Sequence, residues 1–282
     1  MTGTSTLDVA GEFEPWEAAL GFHFVIALAA FLTLTFPVDV EQDPTKRLAW
    51  DAEEGWDVSS LWQALVIFSL ISCAFFNVQN SDPGWLTAEI VENNNLPVTG
   101  QAYCQFCRLT PPVRAHHCRL CQKCVATFDH HCEVVGTCIG ERNRSRYWCL
   151  LAVQALGIGR CVVALYHVDS AFSLPFSARL WHKSFWLLFR ISVTYLYIGL
   201  AAMAAILLLL FHTGLALTNS TTRECLRWRR LKYMNGLPLC KCPFSQGILE
   251  NLKLYGCFCF QWGTRENDWK PIPWYSPHQK VH

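Results

Sequence analysis

Residues 191–211 form a run of 21 residues without one charged side chain. At about 1.5 Å of rise per helical residue, such a run crosses the roughly 30 Å hydrocarbon core of a bilayer. Backbone in lipid must satisfy its own hydrogen bonds, so the run reads as a transmembrane helix. Three further apolar runs, 18–38, 59–78 and 147–168, share that reading. Composition agrees: 16% of the residues are charged, where soluble domains carry about a quarter. His23 sits inside the first run and Glu17 flanks it, and Pro37 with an acidic segment over 39–57 closes it. Asn80-Ser81-Asp82-Pro83-Gly84 after the second run is a turn signal. Arg160 interrupts the third, and an intramembrane arginine either snorkels to an interface or faces the helix bundle. Arg190 caps the outer end of the fourth.

The basic residues divide by side. Seven Lys or Arg lie between 85 and 146 and ten from 218 onward, against two in each of the other two loops. The positive-inside rule places the middle segment and both termini in the cytosol, across four helices. The N-terminus has no Lys or Arg, so its side follows from the even helix count; it is acidic and lacks the basic flank of a signal peptide. The expected organisation is a cytosolic N-terminus (1–17), helices 1 and 2 with a lumenal loop (18–78), and a cytosolic cysteine-rich domain (79–146). Helices 3 and 4 with a second lumenal loop (147–217) and a cytosolic tail (218–282) follow. The fold class is an all-α integral membrane protein carrying a small cysteine-rich module between helices 2 and 3. Asn143-Arg144-Ser145 and Asn219-Ser220-Thr221 match the glycosylation pattern, face the cytosol in this topology and stay unmodified. The net charge of +1 carries no sign of nucleic acid, and none is expected as a partner.

Residues 104–138 hold seven cysteines (104, 107, 118, 121, 124, 132, 138) and four histidines (116, 117, 130, 131). Cys-x2-Cys pairs interleaved with histidine are a zinc pattern, and zinc thiolates belong in a reducing compartment. Eight ligands would close two tetrahedral sites, and the metal would fold a loop poor in apolar residues. Eleven candidates then leave one cysteine and two histidines over. In Asp129-His130-His131-Cys132 one histidine can serve a metal while the other activates the cysteine and the aspartate orients it. The alternative is a zinc module in which Cys132 is a bystander.

The pattern Cys104-x2-Cys107-x9-His117-Cys118-x2-Cys121-x2-Cys124-x4-Asp129-His130-His131-Cys132-x5-Cys138-x4-Asn143-x3-Tyr147 resembles the Asp-His-His-Cys (DHHC) protein S-acyltransferases, the palmitoyltransferases. Asp82-Pro83-Gly84 and Thr221-Thr222-Arg223-Glu224 resemble two other motifs of that family. Pro243-Phe244 through Gly247 to Asn251 and Tyr255 is similar to a third. The resemblance implies one zinc on Cys104, Cys107, His117 and Cys124 and a second on Cys118, Cys121, His131 and Cys138. It implies Cys132 as nucleophile, His130 as general base and Asp129 as its orienting partner, leaving His116 unassigned. Acyl-CoA, commonly palmitoyl-CoA, would be the donor, and membrane-associated proteins with cytosolic cysteines the acceptors. A multi-pass location in Golgi or endoplasmic reticulum membranes would follow. Basic residues around the cluster either meet CoA phosphates or anionic lipid, or are solvated.

The sequence departs from the family where Glu133-Val134 stands for Pro-Trp, Gly136-Thr137 for an Asn pair and Tyr147 for Phe. The lost aromatic is expected to alter the floor of the acyl pocket, and Glu133 to bring negative charge beside the nucleophile. Gly157 and Gly159 either widen a lipid cavity or serve helix packing. Cys240, Cys242, Cys257 and Cys259, with Cys225, are a further metal site, acylated thiols or plain cysteines. Trp228-Arg229-Arg230 reads as an interfacial anchor. Two rivals remain at this stage: a catalytically weak or inactive zinc-module scaffold, and a RING-like membrane ubiquitin ligase.

Overall fold

The computed structural model describes residues 58–93, 101–171, 185–234, 237 and 242–256. The N-terminus, the first apolar run, the first loop expected on the lumenal side, residues 172–184 of the second, and Cys240, Cys257 and Cys259 lie outside these residues.

The other three apolar runs are helical: α1 (Val58–Gln79), α3 (Arg144–Ala171) and α4 (Phe185–Thr218). Three short helices accompany them: α2 (Ala88–Asn93), α5 (Thr222–Arg227) and α6 (Ile248–Tyr255). Helix α3 packs between α1 and α4. Helix α4 overruns its apolar run at both ends, because nothing in Phe185–Arg190 breaks a helix; Arg190 therefore lies inside it rather than at its end. Within α4, Tyr195–Thr218 is 24 residues of apolar helix, long enough to cross a membrane, and is the one such helix among the described residues. Leu196, Leu207 and Leu210 on it are 64%, 59% and 62% exposed. The core helix of a soluble protein buries such side chains; a lipid-facing helix presents them.

Gly157 is a packing residue: an added Cβ would stand 3.0 Å from Ile67 and from Ile71 of α1, whereas one at Gly159 meets nothing within 4 Å. Arg160 donates to Gln63 Oε1 at 2.6 Å, so its charge is met by the neighbouring helix.

Between α1 and α3 the chain forms short strands that the sequence does not announce, since strands of two or three residues are too brief for an alternating pattern. Strands β1 (Trp85–Leu86), β2 (His116–Cys118) and β3 (Lys123–Val125) make an antiparallel sheet ordered β1-β3-β2. Strands β4 (His130–Cys132) and β5 (Thr137–Ile139) form a separate hairpin.

Polar side chains join this module to the helices. Asp82 Oδ1 accepts the backbone N–H groups of Gly84 and Trp85 at 2.7 and 2.8 Å, which makes the turn after α1, and Arg142 Nη1 donates to its other oxygen at 2.7 Å. Asn143 is fully buried; its amide donates to Ser81 Oγ and the Cys138 carbonyl while its oxygen accepts from Gly140 N–H. Asn219 is 2% exposed and donates to the Phe244 carbonyl. Both asparagines of the glycosylation matches are thus structural.

Helix α5 opens with a capping box: Thr221 Oγ1 accepts Glu224 N–H, and Glu224 Oε2 accepts Thr221 N–H. Glu224 also takes two hydrogen bonds from Arg114, at 2.7 and 2.9 Å, with both side chains buried. Asn251 of α6 donates to the Leu217 carbonyl at 2.6 Å, and Arg144 donates to the Leu254 carbonyl at 2.7 Å. The tail therefore closes over the N-terminal end of α3 and the C-terminal end of α4.

Candidate active site and metal-binding clusters

Cys104-x2-Cys107 and Cys118-x2-Cys121 fold alike. In each the second cysteine's N–H points at the first sulfur at 3.5 Å, and the residue that follows, Arg108 or Gln122, has a positive φ of 53° or 54°. This turns both sulfurs to one side. Strand pairing then adds the remaining ligands. His117 lies opposite Cys124 across β2 and β3, and His131 opposite Cys138 across β4 and β5.

Two clusters result, Cys104/Cys107/His117/Cys124 and Cys118/Cys121/His131/Cys138, each with its ligand atoms within 4.8 Å of one another. His117 Nδ1 is 3.3 Å from Cys107 Sγ and 3.9 Å from Cys124 Sγ. His131 Nδ1 is 3.6, 3.3 and 3.6 Å from the sulfurs of Cys118, Cys121 and Cys138. Zn–S bonds near 2.3 Å and Zn–N bonds near 2.0–2.1 Å imply tetrahedral edges of about 3.5–3.8 Å. The donor sets fit zinc. Cys121 titrates at about 4, lowered first by the Cys138 thiol and then by His131, while Cys138 moves the opposite way for the same reason.

Strand alternation separates chemistry from metal. Successive side chains of a strand point to opposite faces. In β4, His131 turns to the metal cluster, so His130 and Cys132 share the other face. In β2, His117 joins one cluster, and Cys118, on the opposite face, joins the other.

On the free face of β4, His130 Nδ1 donates to Asp129 Oδ2 at 2.6 Å. Asp129 is 6% exposed and is also held by α5: Thr222 donates its N–H to Oδ1 at 2.8 Å and its hydroxyl to Oδ2 at 2.6 Å. The array is thereby tied to a residue 93 positions further along the chain. Burial opposes the charged form of His130, but its bonds to Asp129 and Cys132 win and raise it to about 9. Burial likewise opposes Cys132 ionisation, yet the His130 bond, the Val135 N–H and the His130 charge bring its thiol below the ordinary value. Both shifts favour the charged forms, thiolate on Cys132 and imidazolium on His130. His212 of α4, 4% exposed, stands at 5.8 Å ring to ring from His130, with a nitrogen within 4.8 Å of Asp129 and His130 ligand atoms.

The pair after Cys132 does not behave as its sequence position suggests. The β4–β5 turn, closed by Gly136 (φ 74°) and its N–H bond to the Cys132 carbonyl, directs Glu133 and Val134 outward. Val134 is 50% exposed and forms no pocket floor. The wall beside Cys132 is Val135, Ile139, Tyr147, Leu150, Leu151 and Phe75.

Residues 98–229 match the profile of the DHHC palmitoyltransferases. Palmitoyltransferase ZDHHC12 of Homo sapiens is 31% identical over 227 residues, covering 76% of this chain and 79% of the relative. The chain belongs to the DHHC palmitoyltransferase family. Palmitoyltransferase ZDHHC12 of Mus musculus is 32% identical over 226 residues with the same coverage. Protein S-acyltransferase 10 of Arabidopsis thaliana is 35% identical over 150 residues, 53% of this chain and 41% of the relative. As a DHHC palmitoyltransferase the chain is an enzyme, a protein-cysteine S-acyltransferase, and the rival of a RING-like ligase falls away.

Every residue of the two expected zinc ligand sets, and Asp129, His130 and Cys132, is in one of these three arrays; Cys242 is in none of them. Several that matter were not singled out from sequence. Thr222 is visible only as part of a motif, and Arg114 only as one basic residue among seven. His212 lies just past the end of the last apolar run, where a histidine looks interfacial. His116 lines a cleft of roughly 420 Å³ with Arg119 and Arg223. Burial, then Arg223 and Arg227, lower it to about 4, which keeps it neutral at pH 7.

Proposed function

We propose that this acyltransferase works through an acyl-Cys132 intermediate, with His130 moving the proton and Asp129 orienting His130. The observation that carries the reading is the register of β4, which sets His130 and Cys132 on the face opposite His131 and its cluster. The Cys132 thiolate attacks the carbonyl carbon of the acyl-CoA thioester. A carbon–sulfur bond forms, the carbonyl electron pair moves onto oxygen, and its return expels the CoA thiolate, which takes the proton of the His130 imidazolium. In the second half-reaction His130 accepts the proton of a substrate cysteine. That sulfur then attacks the acyl group and releases Cys132 as thiolate.

Cys104, Cys107, His117 and Cys124 would hold one zinc, and Cys118, Cys121, His131 and Cys138 a second, which would neutralise their thiolates and brace the strands that position this array. The cleft bearing Arg119 and Arg223 suits the phosphates of a CoA donor, because guanidinium groups bind phosphate bidentately. A long acyl chain gains about 0.8 kcal/mol per buried methylene, which favours a palmitoyl-length donor lying along the apolar residues beside Cys132. The topology is four helices, with residues 1–17, 79–146 and 218–282 cytosolic and segments 18–78 and 147–217 in the membrane with their lumenal loops. The acceptors are cytosolic cysteines of membrane-associated proteins, in Golgi or endoplasmic reticulum membranes.

The test is labelling of cells expressing the protein with an alkyne-tagged fatty acid. Hydroxylamine-sensitive label on the protein is expected to disappear in Cys132→Ser. Equal label in both would overturn the assignment of Cys132. A second expectation concerns zinc: Cys118→Ala should lower bound zinc from two ions per chain to one or none. Zinc analysis that finds both ions retained would refute the second ligand set.

A further inference from the structure

Proton transfer by His130 needs a carboxylate to orient the ring, and Asp129 supplies it; His212 is surplus to that arrangement. It lies in the last two turns of α4 and is 4% exposed. Its ring packs against Tyr147 at 5.0 Å and Phe211 at 5.5 Å, contacts that phenylalanine would serve equally. Among the described residues His212 makes no hydrogen bond. A buried imidazole without one is unfavourable, and buried polar groups of this kind call for a partner. One of its nitrogens lies within 4.8 Å of both a carboxylate oxygen of Asp129 and a nitrogen of His130. The carboxylate can still accept a ligand. Its Oδ2 takes the His130 Nδ1 and Thr222 hydroxyl hydrogen bonds, both at 2.6 Å, but Oδ1 takes only the Thr222 N–H at 2.8 Å. An ionised carboxylate offers about two acceptor sites on each oxygen, which leaves one open on Oδ1.

We propose that Asp129, His130 and His212 form a third, exchangeable metal site for a borderline divalent cation, zinc, whose occupation switches the acyltransferase off. The inference rests on the reading of His130 as the group that moves the proton. One carboxylate and two imidazoles are a zinc donor set that leaves a position of the tetrahedron open. Zn–N and Zn–O bonds near 2.0–2.2 Å set ligand edges of about 3.3–3.5 Å. The His212 nitrogen therefore draws in by a rotation of its ring, and the Asp129–His130 contact opens by less than about 1 Å. The ion takes the place of the proton that His130 Nδ1 donates to Asp129, and that proton leaves to water. His130 is then held by the metal instead of by the carboxylate alone, and the charge of the ion lowers the basicity of its other nitrogen. It can neither accept the proton of an incoming thiol nor return one to CoA. With three ligands and no thiolate, this site holds zinc more weakly than the two four-ligand clusters, so its ion exchanges while theirs stay.

The experiment equilibrates the purified full-length protein with buffered free zinc, counts bound ions, and measures hydroxylamine-sensitive self-acylation with alkyne-tagged palmitoyl-CoA. Wild type, His212→Phe and Cys132→Ser are compared, each rate being referred to that protein's own rate without added zinc. Wild type is expected to bind one zinc more than His212→Phe and to lose its activity as that ion binds. A mild chelator should remove the extra ion and restore the rate while the cluster ions remain. Even an outer-shell partner of a metal is worth about 10–100-fold in affinity, so loss of a ligand in His212→Phe should raise the half-inhibiting zinc concentration at least about tenfold. Equal ion counts in the two proteins, or equal inhibition of both, overturns the proposal and assigns any inhibition to thiols elsewhere. Asp129→Asn, altered at the other end of the site, supplies the same ion count if His212→Phe does not fold. Cys132→Ser should keep the extra ion, since Cys132 is not among the ligands, and its loss there overturns the ligand set. Label persisting in Cys132→Ser overturns the nucleophile and leaves the ion counts to decide the metal site by themselves.

Discussion

Replacing Glu224 by alanine is expected to cost about 3–5 kcal/mol of stability, the usual penalty for leaving one partner of a buried ion pair alone. Arg114 and Glu224 are 3% and 1% exposed. The guanidinium also donates to the Asn219 carbonyl at 2.9 Å and lies 4.2 Å above the Phe244 ring, so it has no route to water once the carboxylate is gone. Burial alone would push Arg114 towards neutrality, and the Glu224 charge more than reverses this. The same carboxylate closes the capping box of α5, worth roughly another 0.5–2 kcal/mol at the Thr221 end. The effect reaches activity because α5 carries Thr222, which holds both oxygens of Asp129. Thermal unfolding in detergent and self-acylation rate are expected to fall together. Glu250→Ala is the control: Glu250 and its partner Lys253 are 45% and 63% exposed, and its loss should change stability by less than about 1 kcal/mol. A Glu224→Ala protein as stable as that control would show that Arg114 finds another counter-charge.

How much of this was readable in the sequence depends on whether the cause is local. The ligand spacings are local. Cys-x2-Cys sets the turn that gathers two sulfurs, so the residues of the zinc clusters could be named without coordinates. Which histidine of each pair ligates is a matter of register. His116/His117 and His130/His131 look equivalent in sequence, and a one-residue slip would exchange their faces. The family resemblance, not the spacing, made that choice. The orientation of Glu133 and Val134 depends on the turn at Gly136, which reverses the expectation that they border the acyl group. Non-local causes left no local trace. Thr222 meets Asp129 across 93 positions, His212 reaches the site from a membrane helix, and Arg114 is distinguished from other arginines by the buried Glu224 it pairs with far along the chain. The zinc module's strands are equally silent, because metal ligation and pairing, not propensity, make a three-residue strand.

Gly140 shows the same limit in its strongest form, and its replacement by valine carries the other large expected effect. No positive φ is required there, so nothing in the local chain demands glycine. The demand comes from packing. A Cβ at this position would lie 2.5 Å from the Pro83 carbonyl oxygen, 2.5 Å from Val125 Cγ1 and 3.0 Å from the Ala126 carbonyl oxygen. Two of these three atoms are backbone and are already engaged, since Pro83 O accepts Arg142 N–H and Ala126 O accepts Glu141 N–H. Neither can yield without breaking a hydrogen bond that ties the turn after α1, strand β3 and the start of α3 together. Overpacking costs about 1–3 kcal/mol even where side chains can move aside; here backbone must move, so at least about 3 kcal/mol is expected. The displacement would fall on β5, whose Cys138 belongs to the second metal cluster and whose pairing sets the register of His130 and Cys132. Gly140→Val should therefore lose zinc, unfold at lower temperature and fail to self-acylate. Gly159→Val, where an added Cβ meets open space, should retain its zinc and its activity. Zinc analysis of the two purified variants decides the matter, and full occupancy in Gly140→Val would mean that the junction is looser than its contacts require.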